Sequence, residues 1–435
     1  MTTVRRSRSG RRRRRATVRI ESIASGGEGV GKLPDGRVVF VHRTAPADRV
    51  EVELIQERPR WTRGRLLRVL EPSPDRREVP CPHYERCGGC TLEHLQYPAQ
   101  LSAKRRIVAD ALTRLGGVPV DEPEVVPSPR EHRYRNRVSF TLRRGASGEV
   151  FAGFHALHDP DTIVPIDGRC LLPEEAIARV WDGLRAHWGP DANRLPSGEQ
   201  LRLTLRATAK GSVALLVEGG YSHGRPHELV ERVDGLDAIW IQSASEPPTL
   251  LAGSPTLPEV WGEERFAVGG TAFLQVNRWA AALLEEHVLA TIGDVAGRRV
   301  VDAYCGVGVH ARRLARSGAR VVGLELHPDA VRLARLSAPD GARFVEGRVE
   351  DLLPSVLPAD LIILNPPRAG VDAAVVASIL EAPPSRIIYV SCDPATLARD
   401  LRRLSGSFEL ASIRCFDLFP QTAHVESVVE LRRRS

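Results

Sequence analysis

Lysine is nearly missing from this chain: three lysines stand against a combined Lys+Arg count of 61 in 435 residues, and there is one methionine. Arginine forks suit phosphate, but biased coding composition explains the imbalance equally well, so it carries no functional weight. Also missing is any run of about 18 uninterrupted apolar residues, and the N-terminus lacks the apolar stretch of a secretory signal. Membrane insertion and export are thereby disfavoured, and a soluble, cytoplasmic protein is expected. Acid is absent from residues 1–15, which hold eight arginines, so residues 16–435 sum to −1 although the whole chain carries +7. The body is therefore nearly neutral, and the basic tail reads either as a solvated, disordered extension or as an arm for RNA phosphates. Cysteine is sparse and odd in number, seven in all, which points away from a disulfide framework and toward metal or catalytic work.

What is present divides along the chain. An apolar content of 42% over this length allows two or three packed domains. After the tail (1–15), residues 16–71 alternate as short strands (Thr17–Ile20, Val38–Val41, Arg49–Leu54, Thr62–Val69) between glycine-rich turns, a small β-barrel pattern. Pro72, Pro74 and Pro80 mark a linker into a central region, 72–262, that holds a cysteine cluster, a helix from about Pro98 to Leu115, and extended runs at Arg137–Arg143, Leu201–Ala207, Ser212–Glu218 and Ala238–Gln242. From 263 to 435 apolar strands alternate with helices: Arg299–Tyr304, Arg320–Glu325, Asp360–Asn365 and Arg386–Ser391. That pattern predicts an α/β domain on a mainly parallel sheet.

The strand ending at Tyr304 runs into Cys305-Gly306-Val307-Gly308, where glycines permit a sharp turn and close backbone approach to a ligand. The next strand ends in Glu325, about 20 residues on, where an acid typically holds ribose hydroxyls. This pairing fits an adenosine, and a nicotinamide dinucleotide satisfies it too. The strand Ile387–Ser391 delivers Cys392 to the carboxyl edge of the sheet, beside a helix opening near Pro394 whose N-terminal field favours thiolate. The alternative for a lone strand-end cysteine is buried packing.

Three motifs in order, Asn365-Pro-Pro-Arg-Ala-Gly370, Ser391-Cys-Asp-Pro-Ala-Thr-Leu-Ala-Arg-Asp400 and Phe419-Pro-Gln-Thr-Ala-His-Val-Glu-Ser427, closely resemble the RNA (uracil-5)-methyltransferase family. The resemblance covers nearly the whole chain: residues 16–71 look like that family's TRAM domain, an OB-like barrel, and Gly269-Gly-Thr-Ala-Phe-Leu-Gln-Val-Asn277 matches its entry to the catalytic domain. It implies a class I methyltransferase fold, S-adenosylmethionine as cofactor, Cys392 as nucleophile on carbon 6 and Glu426 as the base that removes the carbon-5 proton. It also implies that Gln275, Tyr304, Gly306, Glu325 and Asn365 line the cofactor pocket. Two positions depart from the pattern: Val309 replaces a common asparagine, and Asn365 replaces an acid. Asn365 raises a rival class, the amino-methyltransferases with an Asn-Pro-Pro-aromatic motif, but Arg368 stands where their aromatic would be and such enzymes need no thiolate.

Cys81, Cys87 and Cys90, with Cys170 as fourth ligand, form a thiolate set that suits zinc or an iron-sulfur cluster by spacing alone. Family resemblance implies a [4Fe-4S] cluster, as in ribosomal-RNA members, so ribosomal RNA is the expected partner ahead of transfer RNA. Cys305 and Cys415 read as packing residues. In the barrel, Arg58, Arg60, Trp61, Arg63, Arg65 and Arg68 interleave an aromatic with cations, an RNA-facing pattern or a solvated strand face. Two readings outside catalysis remain open: an inactive RNA-binding module and a redox-sensing cluster protein.

Overall fold

A computed structural model describes residues 14–243, 248–262, 264–269, 274–336 and 338–434. Most of the arginine tail and residues 270–273 of the Gly269–Asn277 motif lie outside the described residues. The described residues form two compact units: one gathers those within 14–79, 91–103 and 421–423, the other those within 80–90, 104–420 and 424–434.

In the first unit, Arg15–Ile23, Gly29–Lys32, Val38–Val41, Arg49–Glu57 and Trp61–Glu71 close into a five-stranded barrel. Alternation builds it: Val18, Ile20, Val39, Val41, Val50, Val52 and Leu54 point inward to a common core while their neighbours face solvent. Gly31 is needed where strands cross closely, because a Cβ there would stand 2.5 Å from the Arg19 carbonyl oxygen. The Gly29–Lys32 strand escapes sequence reading because two of its four residues are glycine.

The second unit contains two large sheets. Seven strands around Arg137–Arg144 and Gln200–Ala207 form a mostly antiparallel sheet whose core stacks Phe140 on Trp181, ring centroids 3.9 Å apart. The other sheet holds β1 (Arg299–Ala303), β2 (Arg320–Glu325), β3 (Ala342–Glu346), β4 (Leu361–Leu364), β5 (Arg386–Ser391), β6 (Phe408–Phe416) and β7 (Glu426–Arg433). Their order is β3-β2-β1-β4-β5-β7-β6, with Val125–Val126 pairing at the far edge. β1 to β5 run parallel, and β7 lies antiparallel to both neighbours. Helices cover both faces, so central strands such as β4 are buried at every residue. This is the α/β class I methyltransferase architecture, and strand order reverses between β1 and β4, the crevice where such sheets bind ligands.

Four helices matter below: α1 (Tyr97–Ala111), α2 (Arg278–Ile292), α3 (Val309–Arg316) and α4 (Pro394–Leu404). The helix expected from Pro98 to Leu115 runs as α1 and closes in a wider π-turn, Leu112–Gly116, ended by left-handed Gly117. Among the described residues, no helix is long and apolar enough to cross a membrane.

Candidate active site

β1 ends in a sharply folded turn. Tyr304, Gly306 and Gly308 take φ of 63°, 56° and 76°, a region tolerated by glycine and strained for tyrosine. A Cβ at Gly308 would overlap the Phe344 ring of β3, so this backbone approach admits no side chain. The turn also fixes the carboxylate at the end of β2: Glu325 Oε2 accepts from the Gly306 amide at 2.9 Å and Oε1 from the His327 amide at 2.8 Å. Each oxygen keeps lone-pair capacity for a hydroxyl. One turn below, buried Asp302 accepts from the Ala311 amide, and burial pushes its carboxyl up to about 7.

The turn opens onto a cavity of about 1050 Å³. Gln275, Tyr304, Gly306, Glu325, Asn365, Cys392 and Glu426, the seven residues singled out in the sequence for cofactor and catalysis, all line it. Adenosine-sized and pyrimidine-sized ligands fit together in such a volume.

Cys392 sits at the end of β5, half-buried, and burial, with Glu426 next, pushes its thiol up to about 11. The expected activation by the α4 N-terminus is corrected here. The Asp393 carboxylate accepts from the Ala395 and Thr396 amides at 3.0 Å each, so the field of the first turn is spent on Asp393. The Asp393 charge itself raises the thiol further, while Arg368 opposes it. Glu426, 2% exposed at the start of β7, is pushed up to about 8 by burial. Its charge acts on the thiol and burial holds it protonated near neutrality, so both groups rest uncharged until a ligand changes their surroundings. Beside them exposed His424 is lowered to about 4, by partial desolvation first and the Arg368 charge next, with the Phe419 ring packed edge-on at 5.8 Å.

One other lining group carried no signal in the sequence. Glu285 of α2 faces the cavity, takes a hydrogen bond from the Trp261 indole, and is pushed up to about 7 by burial. An acid within a run of good helix formers looks like an ordinary surface residue. Asp400, fully buried on α4, accepts from the Tyr389 hydroxyl at 2.9 Å and the Val371 amide at 3.0 Å, and pairs with Arg399 and Arg403. It thereby ties β5, α4 and the loop after Asn365 together around Cys392. Of the two cysteines read as packing, Cys415 is buried against Ser427, whereas Cys305 forms part of the cavity wall.

The four remaining cysteines share a neighbourhood. The Cys87–Gly88 segment pairs with His155 and Ala156, and the His83 ring meets Asp167, which precedes Cys170. Burial pushes the Cys170 thiol up to about 12, with Cys81 and Cys87 adding to the effect. Among the described residues, however, no group of three or more His, Cys, Asp or Glu side chains stands in an arrangement that could hold a metal ion. The donor chemistry fits a thiolate-bound centre and the placement of the sulfurs does not reach ligating geometry.

The barrel arginines are less free than their sequence suggests. Arg65 and Arg68 pair across strands with Glu53 and Glu51 at 2.7 and 2.8 Å, and Arg63 lies 3.8 Å from Glu28. Arg58 and Arg60 are exposed, and Arg63 leans over the Trp61 ring at 5.9 Å.

Residues 264–434 match the family described as tRNA (Uracil-5-)-methyltransferase, and residues 11–67 match the TRAM domain. An uncharacterized RNA methyltransferase of Gloeobacter violaceus is 38% identical over 96% of each chain. Another, of Thermosynechococcus vestitus, is 34% identical over 95% of this chain and 97% of its own. The tRNA (uracil-54, C5)-methyltransferase of Pyrococcus abyssi, solved with S-adenosyl-L-homocysteine, superposes with a TM-score of 0.71 and 25% identity, covering 96% of this chain and all of that one.

Proposed function

Because the chain belongs to the S-adenosylmethionine-dependent RNA (uracil-5)-methyltransferase family, we propose that it methylates a uridine of structured RNA through a covalent bond between Cys392 and carbon 6. One observation carries the reading. Cys392 and Glu426 line one cavity, and the Glu426 charge acts on the Cys392 thiol, at the carboxyl edge of the sheet beside the glycine turn.

The cavity suits the cofactor: the Glu325 carboxylate, pre-oriented by two amides, holds ribose hydroxyls, Tyr304 packs near the adenosine, and Gln275, Gly306 and Asn365 complete the pocket. S-adenosylmethionine supplies a methyl group on a sulfonium. Cys392 adds to carbon 6, and the electrons pushed to carbon 5 make it nucleophilic enough to take that methyl. Glu426 then accepts the carbon-5 proton, the C–H pair becomes the restored carbon-5 to carbon-6 double bond, and the carbon–sulfur pair returns to Cys392. A carboxyl raised to about 8 is well matched to receiving a proton near neutrality. Because both protein groups rest protonated, each must first release its proton to solvent: Cys392 to add as the thiolate, which Arg368 favours, and Glu426 to be free to accept the carbon-5 proton.

The uridine must be unpaired or extruded to reach this site. Ribosomal RNA is the preferred target, ahead of transfer RNA, on the strength of the four-cysteine set. We further propose that Cys81, Cys87, Cys90 and Cys170 hold a [4Fe-4S] cluster as a structural element. The nearness of Cys81 and Cys87 to Cys170 supports this, and the sulfurs must move into ligating geometry when the cluster binds.

Mass-spectrometric mapping of 5-methyluridine in total RNA from cells with and without this chain tests the reaction and its target together. Loss of the nucleoside from one ribosomal site is expected. An unchanged map would favour a non-catalytic RNA-binding protein, and loss from transfer RNA would move the target. RNA containing 5-fluorouridine should become covalently trapped on wild-type protein and not on Cys392→Ala, since fluorine cannot leave as a proton. Iron and sulfide in anaerobically purified protein test the cluster, and stoichiometric zinc in their place would refute it.

A further inference from the structure

The segment leading into β7 is fastened by a buried charge. Lys104 of α1 and Asp417, just after β6, are both fully buried. Lys104 Nζ donates to Asp417 Oδ1 at 2.5 Å and to the Phe419 carbonyl at 3.1 Å. The same Asp417 oxygen accepts from the Phe419 amide at 3.1 Å. One ammonium and one carboxylate therefore close a tight turn over residues 417–419. Further bonds extend the hold: Asn277 Nδ2 reaches the Leu418 carbonyl at 3.3 Å, and the Tyr134 hydroxyl donates to the Pro420 carbonyl at 2.9 Å.

A pair of this kind is a costly way to gain stability, since two well-packed apolar residues of similar volume commonly serve a fold as well or better. Its physical advantage is directional, for an ammonium with two acceptors in fixed places admits one turn geometry. Burial pulls the Lys104 ammonium below its ordinary pKa, while Asp417 acts in the opposite direction. What that geometry fixes is functional: Phe419 and Glu426 both line the cavity, and the Phe419 ring packs on His424, two residues before Glu426.

We propose that Lys104 and Asp417 are positioning residues for the reaction: their ion pair locks the turn that sets the Phe419 ring and the approach of Glu426 to the carbon-5 proton. The inference rests on the roles proposed above for Cys392 and Glu426. It predicts a specific failure. If Glu426 is displaced, thiol addition and methyl transfer still occur, but the carbon-5 proton stays in place and the carbon–sulfur bond cannot break.

The experiment incubates full-length protein with S-adenosylmethionine and RNA isolated from cells lacking this chain, followed by denaturing electrophoresis for protein–RNA adducts and by 5-methyluridine quantitation. Glu426→Gln is the reference and should accumulate adduct; if it does not, the proposed reaction fails irrespective of Lys104. The double variant Lys104→Met, Asp417→Leu removes both charges and strands neither. It should bind S-adenosylhomocysteine with unchanged affinity, turn over about 10- to 100-fold more slowly, and accumulate adduct. Wild-type turnover without adduct overturns the proposal, and so does slow turnover without adduct, which marks a merely structural pair. Should the double variant not fold, Tyr134→Phe, which deletes only the bond to Pro420, must accumulate adduct to a smaller extent, and its absence there overturns the proposal equally.

Discussion

The resting state of Cys392 is open to direct chemical measurement. Burial, Glu426 and Asp393 push its thiol from an ordinary 9.0 to about 11. At pH 8 that leaves about one thiol in a thousand ionised, against about one in ten for an ordinary cysteine, a deficit of about 100-fold. A less acidic thiol gives a more nucleophilic anion, and a Brønsted slope of about 0.4–0.5 over two pKa units returns nearly tenfold. Iodoacetamide should therefore alkylate Cys392 about tenfold more slowly than free cysteine at pH 8, read by peptide mass spectrometry to separate it from the other six. The sign of the coupling gives a sharper test. Glu426 is raised to about 8, so it is uncharged below that pH and anionic above it. Glu426→Gln should thus leave alkylation of Cys392 unaltered at pH 7 and accelerate it at pH 9–10, where the wild-type carboxylate opposes the thiolate. Arg368→Ala should slow alkylation across the whole range, because that cation favours the anion. Alkylation at pH 8 as fast as free cysteine, or acceleration by Glu426→Gln equal at pH 7 and pH 10, would refute the account of a protonated pair.

Glu285, 7% exposed, is raised from 4.5 to about 7. A raised acid contributes stability in full below the unfolded pKa and loses it as pH climbs through the folded one, here between about 4.5 and 7. Glu285→Gln keeps an acceptor for Trp261 and should narrow the melting-temperature gap between pH 5 and pH 8, an effect of up to about 3 kcal/mol. Gly308→Ala forces a side chain against Phe344 at positive φ. It should cost about 1–3 kcal/mol and weaken S-adenosylhomocysteine binding in calorimetry, with Phe344→Leu restoring part of the affinity. Asp400→Asn weakens the buried acceptor of the Tyr389 hydroxyl and Val371 amide while leaving Arg399 and Arg403 in solvent, and should cost about 1–3 kcal/mol. Faster proteolysis of the 365–371 loop would register it.

Strong periodicity made much of this architecture readable from residues alone. β1, β2, β4 and β5 are apolar because helices cover both of their faces, and the barrel strands alternate because one face meets water. β3 escaped notice because Ala342–Glu346, at the edge of the sheet, has a mixed and half-exposed sequence. In the central region Val150–His155 and Thr249–Gly253 are short, glycine-containing and part-exposed, so they offer too little pattern to distinguish from loop. Cys392 and Glu426 could be singled out because their motifs resemble those of a family; no periodicity would have picked a lone glutamate at the head of a strand. Long-range electrostatics were invisible: 313 residues separate Lys104 from Asp417, and nothing local announces that Asp393 intercepts the helix amides beside the thiol. The arginine stripe on Trp61–Glu71 was visible, but the glutamates that offset it sit on the adjacent strand, and their pairing depends on register.

Closure of the five-stranded barrel has a bearing on how it can recognise anything. With Arg15–Arg19 paired to Arg49–Glu53 and Ile20–Ile23 to Gly29–Gly31, the ring closes on itself, and where it is paired on both sides, as at Thr62–Gly64, an incoming peptide cannot extend it as one more strand. Over that closed part, whatever this unit grips it must grip through outward side chains and the tips of its loops. Its selectivity is accordingly open to tuning by surface substitution, without disturbing the hydrogen-bonded cylinder beneath.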